Sequence, residues 1–207
     1  MKTIIVTLTL LLSASISQAA DFNAFLMLFE KAEIPYTVPE GAYMDYGNEE
    51  FEPPFSGKSI DGEMSVAFLG AYEDGYTQYE AVTKFEMDNY VAVLIFETDV
   101  NMNSGAVSGS FVLYSLSKTG EFISSVTVST ESYGNNDNYY KTYELNAVIS
   151  KSEWPGDEGK LLITYQETQK KNVMDGKYGM IQETKTTLFD LIEADGKIKG
   201  VTTKIGE

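Results

Sequence analysis

Most of the chain alternates between runs rich in Val, Ile, Thr, Tyr and Phe and short turns that contain Gly or Asp-Gly. Within one such run, Val126 and Val128 alternate with Ser125 and Thr127. A period of two, bounded by Gly, Asp and Asn, is typical of β-strands joined by hairpins. The pattern predicts strands at 64–72, 77–87, 90–99, 109–117, 121–131, 140–151, 160–168, 181–192 and 197–205.

Consecutive strands joined by tight turns predict a mainly β protein with an antiparallel, up-and-down meander over 64–205. Such a meander folds as a curved sheet, a sandwich or an open barrel. Its two halves also resemble each other, since 82–98 is similar to 148–168 and 111–122 to 187–198. An alternative is therefore a pair of repeated four-strand units, although hairpin sequences generally resemble one another.

A helical period precedes the strands. Four apolar residues fall at i, i+3, i+4 and i+7, namely Phe22, Phe25, Leu26 and Phe29. Asp21 can cap the first turn, and Pro35 disfavours helical geometry in its predecessor. We predict a short amphipathic helix at 21–32 that packs on the sheet and ends before Pro35.

Residues 39–62 form the predicted connection between this helix and the strands. They are acidic, contain Gly and Pro, and carry the aromatic residues Tyr43, Tyr46, Phe51 and Phe55. A loop of this length inside a compact domain is often functional. We predict that it folds over the domain or offers a contact surface.

The first nineteen residues have the three parts of a secretory signal peptide. Lys2 is the positive residue, Ile4–Leu12 is the apolar run, and Ala19 precedes the expected cleavage site. The run is shorter than the roughly 20 residues of a transmembrane helix, and no Cys is present to carry a lipid anchor. We predict residues 1–19 as signal peptide and 20–207 as a single exported, soluble β-rich domain, periplasmic or extracellular.

The composition excludes much catalytic chemistry, because the chain has no Cys, His or Arg. Ser-His-Asp and Cys-His nucleophile systems, imidazole or thiolate metal sites, and arginine clamps for phosphate therefore cannot form. The formal net charge of −16 predicts repulsion from nucleic acid and anionic membranes. We predict no nucleic-acid partner and a protein that is not an enzyme.

Two kinds of catalytic site do not depend on Cys, His or Arg, namely the SxxK and KTG motifs and a pair of carboxylates. The SxxK motif at Ser115 and the KTG motif at Lys118 share one hairpin turn, whereas a penicillin-binding site needs them to meet from distant segments. A carboxylate-dependent hydrolase needs two acids at a defined separation. No spacing distinguishes the candidate carboxylates Glu50, Glu52, Asp74 and Glu80 from the other acidic residues.

Tyrosines concentrate in two places, beside turn residues. A Tyr ring offers an apolar face and a hydroxyl at low entropic cost, which suits sugar stacking or protein contacts. We predict a binding surface formed by Tyr72, Asp74, Tyr76, Tyr79, Tyr133, Asn135, Asp137, Tyr139, Tyr140 and Trp154. The alternative is that these tyrosines are half-buried on strands.

The loop that contains Asn135 and Asp137 is also a weak candidate for calcium, since its oxygen ligands are of the right type. It lacks the frame of an EF-hand, and an ordinary polar turn explains it as well. We predict no other cofactor or metal.

The F-x-x-F-L-x-x-F pattern from Phe22 to Phe29, the following Ile34-Pro35-Tyr36 and the later Asp-Gly-Lys hairpins resemble uncharacterised secreted β-rich proteins of Bacteroidetes-type bacteria. The resemblance implies an exported bacterial β protein, and it implies no activity and no site residues.

Together these features predict a non-catalytic binding module for a protein or glycan partner. The alternatives are a glycosidase-like hydrolase and a structural component of the cell surface or periplasm.

Overall fold

The computed structural model describes residues 21–44, 55–71, 76–101, 106–136, 139–153, 155–157, 159–175 and 178–206. For strand residues 43–44, 132–136, 139–143, 171–175, 178–182 and 201–206 it gives the backbone path. The predicted signal peptide lies outside the described residues. The described chain is mainly β, as the sequence predicted.

Helix α1 covers residues 21–26. Twelve strands follow within the described ranges. They are β1 (Glu30–Lys31), β2 (Tyr36–Thr37), β3 (Ala42–Met44), β4 (Lys58–Ile60), β5 (Thr77–Glu86), β6 (Tyr90–Val100), β7 (Val107–Ser117), β8 (Phe122–Asn136), β9 (Tyr139–Lys151), β10 (Leu161–Asp175), β11 (Tyr178–Ile192) and β12 (Ile198–Gly206). Between β4 and β5, helix α2 (Gly62–Met64) continues as a π-helical turn, Ser65–Leu69.

Strands β5 to β12 pair in chain order, each antiparallel to the next. Strand β8 changes partner part-way along: its first half, up to Ser129, pairs with β7, and its second half, from Thr130, pairs with β9. The sheet therefore divides into a first layer, β5 to the first half of β8, and a second layer, the second half of β8 to β12. Strands β1 and β12 end the pairing order, so the described sheet is not a closed barrel.

The main core lies between the two layers. It joins residues of β6 and β7 to residues of β9 and β10, and all of these side chains are buried. Its central members are Ala92, Leu94, Phe96, Phe111, Leu113, Leu145, Ala147, Ile149, Leu161, Ile163 and Tyr165.

A second core covers the opposite face of the first layer. Val91, Val93 and Ile95 pack there against α1, the turn that follows it and the π-helical turn. The buried aromatic residues of these segments are Phe22, Phe25, Phe29 and Phe68. All seven residues of β6 from Tyr90 to Phe96 are buried as a result. An unbroken apolar run is typical of a strand that is covered on both faces.

The two layers separate where β8 passes from β7 to β9, at Ser129 and Thr130, and we call this gap the fork. The segment 36–44 lies in the fork. β2 pairs with β9 next to the point where β8 leaves it, and β3 pairs with β7 on the edge that β8 has left. Between β2 and β3, the Gly41 N–H donates to Oγ of the buried Ser129 at 2.9 Å. A Cβ on Gly41 would lie 2.6 Å from the Thr130 Cα. Only a residue without a side chain fits this position.

The prediction of a strand at 64–72 is wrong, since the structure has α2 and the π-helical turn there. Asp61 caps the helix, because its Oδ1 accepts a hydrogen bond from the Met64 N–H at 2.8 Å. Gly70 follows in the left-handed conformation, at a φ of 65°, which glycine adopts without strain. These end signals outweigh the β propensity of the apolar run, whose Phe68 is buried in the second core.

The predicted helix at 21–32 is too long. It ends near Leu26, where the Lys84 Nζ donates to the Leu26 carbonyl oxygen at 3.1 Å and so satisfies a backbone group that the helix leaves free. The chain then forms β1, which pairs in parallel with β5. Pro35 lies beyond β1 and is therefore not what ends the helix.

The predicted loop 39–62 is also corrected in its described parts. It contains β3, which pairs with β7, and β4, which pairs with β5. Strands of three residues are too short to show an alternating pattern in the sequence. The long strands of the meander begin at Thr77 rather than at residue 64, and the short β4 pairs antiparallel with the first of them.

Candidate functional site

Four strands continue in register beyond the main core. β10 and β11 have 15 residues each, and their pairing runs without interruption to Asp175 and Tyr178. At about 3.3 Å per residue, such a strand is roughly 50 Å long. The buried apolar residues of the main core extend only to Leu145 on β9 and Tyr165 on β10. We call the part beyond them, residues 130–144 and 167–186, the ribbon.

The described side chains at the base of the ribbon are polar. Apart from the buried Thr168, they are half-buried or exposed. Two ion pairs lie among them, Lys170 Nζ to Glu144 Oε1 at 2.9 Å and Lys185 Nζ to Glu183 Oε1 at 3.1 Å. The ribbon base is therefore held by backbone pairing and surface charges rather than by an apolar core.

The ribbon brings together four of the predicted binding residues. In the β8–β9 hairpin, Tyr133 pairs with Thr142, Asn135 with Tyr140, and Asn136 with Tyr139. Tyr133, Asn135, Tyr139 and Tyr140 therefore occupy neighbouring backbone positions at the end of one hairpin. Asp137, the other candidate calcium ligand, lies outside the described residues.

The other tyrosine group is only partly described. Tyr76 is exposed, with 46% of its surface accessible, whereas Tyr79 is half-buried against the second core. Tyr72, Asp74 and Trp154 lie outside the described residues. Glu80 pairs with Phe96, Phe96 with Phe111, and Phe111 with Ser129, which directly precedes the ribbon. Tyr76 therefore lies toward the same end of the sheet as the ribbon.

A half-buried carboxyl group, that of Glu97, lies on β6 near this end. The Tyr114 hydroxyl donates a hydrogen bond to Oε1 of Glu97, and Tyr79 is the cross-strand neighbour of Glu97. Burial raises the pKa of Glu97, and this effect exceeds the opposing effect of the hydrogen bond from Tyr114. Burial also raises the pKa of Tyr114. The sequence signal for this pair was the acidic residue directly after the apolar run of β6.

The fork holds a small polar cavity of about 140 Å³, which the sequence did not predict. Its lining includes the carboxylates of Glu40, Glu131 and Glu144 together with Asn146. Glu144 is paired with Lys170. Within the described part of the chain, no three acidic side chains have an arrangement that could hold a metal ion.

The carboxylates considered for a hydrolase are mostly not described, since Glu50, Glu52 and Asp74 lie outside the described residues. Glu80 has a structural contact, as its Oε2 accepts a hydrogen bond from the Gly57 N–H at 3.0 Å. Ser115 of the SxxK motif is fully buried, and its Oγ contacts the Ser124 Oγ at 2.9 Å. Its hydroxyl also donates to the Gly196 carbonyl oxygen, so it links β7 and β8 to the turn between β11 and β12.

Comparison of the chain with protein-family models, with curated proteins and with solved structures found no significant match. Among the helices that the structure describes, none has the length and apolar character needed to cross a membrane.

Proposed function

We propose that this protein is an exported, non-catalytic binding protein whose ribbon holds the partner. The observation that carries the proposal is the continuation of four paired strands beyond the buried apolar residues of the main core. Ordering a residue costs about 1–2 kcal/mol of backbone entropy. The polar side chains described at the ribbon base offer little burial to offset this cost. Stabilisation of the described residues outside the ribbon, which we call the body, therefore does not account for the ribbon.

The composition of the ribbon favours a neutral glycan as the partner, with a protein as the alternative. Its sequence has five lysines and six acidic residues, a net charge of −1, whereas the whole chain carries −16. The ribbon therefore has almost no net charge with which to attract an ionic partner. The tyrosines at the end of the β8–β9 hairpin supply flat rings and hydroxyl groups, which suit sugar stacking and hydrogen bonding.

A triple substitution tests this proposal. Tyr133, Tyr139 and Tyr140 are replaced by Ser, and the mature protein is applied to a glycan array and to cell-envelope extracts. We expect the variant to lose more than about tenfold in affinity for the glycan that the wild type binds. The matched control is Phe122→Ser, which removes an exposed aromatic ring at the opposite end of β8. Unchanged binding by the triple variant contradicts the proposal, as does a wild type that binds no glycan and no envelope protein.

Export is the second part of the proposal, and the pattern of residues 1–19 supports it. We expect the protein recovered from cells to begin at Ala20. N-terminal sequencing of the material in the cytoplasm, the periplasm and the medium checks this expectation. A cytoplasmic chain that retains residues 1–19 contradicts it.

We also infer that the body is a meander of two similar four-strand units, β5–β8 and β9–β12. The similar segments of the sequence fall on equivalent hairpins, since 82–98 covers much of β5–β6 and 148–168 much of β9–β10. Likewise, 111–122 and 187–198 cover the turns of β7–β8 and β11–β12. An experimental structure in which the two units superpose hairpin for hairpin supports this inference, and one in which the equivalent hairpins cannot be superposed contradicts it.

A further inference from the structure

A groove of about 570 Å³ lies at the end of the sheet opposite the ribbon. Residues of both layers line it, from the ends of β1 and β5 on one side and from the end of β9 on the other. Its apolar part consists of Ala32, Ile34, Phe85 and Met87, which all belong to the main core or pack against it. The groove is therefore a concave opening at this end of the main core. The volume of the groove lies in the range of about 300–1,000 Å³ that is typical of small-molecule sites.

The charged residues around the groove fall into two groups. Lys31 is neutralised by Glu86, with 2.9 Å between Nζ and Oε2. Lys151, Glu33 and Asp88 are exposed and make no ion pair with any residue that the structure describes. One ammonium group and two carboxylates therefore line the groove beside its apolar residues, without an ion-pair partner among the described residues.

We propose that this groove binds a short, zwitterionic peptide with apolar side chains. The peptide carboxylate pairs with Lys151, its ammonium group pairs with Glu33 or Asp88, and its side chains cover Ile34 and Met87. A purely anionic ligand is disfavoured by the two carboxylates and by the net charge of −16. A purely cationic ligand leaves Lys151 unused. This site is separate from the ribbon and goes beyond the function proposed for it.

Dipeptide probes test the proposal by isothermal titration calorimetry. Leu-Leu is compared with N-acetyl-Leu-Leu, which lacks the ammonium group, and with Leu-Leu-amide, which lacks the carboxylate. We expect Leu-Leu to bind, and each blocked form to bind about tenfold more weakly, because each loses one charge-assisted hydrogen bond. Lys151→Gln weakens Leu-Leu by the same factor and leaves the affinity for Leu-Leu-amide unchanged.

Two controls separate this site from the ribbon. Lys185→Gln, at the base of the ribbon, leaves Leu-Leu binding unchanged, and so does the triple tyrosine variant. Equal affinity for the three probes overturns the proposal, because the charges then have no role. An unchanged affinity of Lys151→Gln for Leu-Leu, or no binding of Leu-Leu at millimolar concentration, overturns it as well.

Discussion

The body and the ribbon of this protein have the same antiparallel backbone pairing but differ in the burial of their side chains. In the body, β6 is buried on both faces, between the main core and the helix-covered second core. In the ribbon, pairing continues through the ends of β8–β9 and β10–β11, while the described side chains at its base are polar. Burial of apolar surface is the dominant favourable term in folding, so the body accounts for stability. The ribbon is therefore the part that we propose for binding.

The largest effect is expected from opening the second core. Phe25→Ala removes a fully buried ring that contacts Phe22, Phe29 and Phe68. We expect a loss of about 3–5 kcal/mol in the free energy of unfolding. Urea denaturation measures it.

Met27→Ala is the matched control for this change. Met27 lies two residues further along the chain and is 78% exposed, so its truncation changes the free energy of unfolding by less than about 0.5 kcal/mol. Similar losses for both variants would mean that α1 does not pack on the sheet in solution.

A smaller effect is expected at the fork. Gly41→Ala places a Cβ against the Thr130 backbone, where no flexible side chain can move aside. We expect a loss of about 1–3 kcal/mol from overpacking. Gly200→Ala, whose Cβ has only a side-chain oxygen within 4 Å, at 3.4 Å, serves as the control. If Gly41→Ala is as stable as this control, the segment 36–44 does not occupy the fork.

The smallest effect is expected at Glu97 and depends on pH. Its pKa is raised in the folded protein, so the folded state binds more protons than the unfolded state from the ordinary value of 4.5 up to the raised value. This carboxyl group therefore lowers stability as pH rises through that window. We expect the free energy of unfolding of Glu97→Gln to rise relative to that of the wild type as the pH increases from 4 to 7.

Tyr114→Phe gives the complementary result. It removes the hydrogen bond to the ionised carboxylate and lowers the free energy of unfolding by about 1–2 kcal/mol at pH 7, and by less at pH 4. In a Glu97→Gln background this difference between the two pH values disappears. Urea unfolding of the single and double variants at both pH values measures the coupling, and an equal loss at pH 4 and pH 7 contradicts it.

Much of the body could be predicted from the sequence, because strands of the main core alternate or are wholly apolar. β5 and β6, for instance, lie within a residue or two of their predicted ranges. The helical segment after Asp61 could not be predicted from apolar periodicity, since its length was that of a strand and the deciding signals were the Asp61 cap and Gly70.

The ribbon and the groove were harder to predict. β10 continues through the polar run 169–172, and the first three residues of β11 include Gly179, which is uncommon in strands, so the predicted strands stopped at 168 and began at 181. The groove joins Lys151 to Glu33 and Asp88, which are remote in the chain and meet only in the folded structure. Tyrosine content alone indicated the ribbon hairpin, because Tyr133, Tyr139 and Tyr140 are close in the sequence as well as in the fold.

The most direct test of the division between body and ribbon is to shorten the ribbon. Residues 133–142 and 171–182 are each replaced by Asn-Gly, so that a two-residue turn closes the paired positions Ser132–Tyr143 and Lys170–Glu183. We predict a free energy of unfolding within about 1 kcal/mol of the wild type, together with complete loss of binding to the glycan or envelope partner. A shortened protein that fails to fold, or one that still binds the partner with wild-type affinity, would contradict this account.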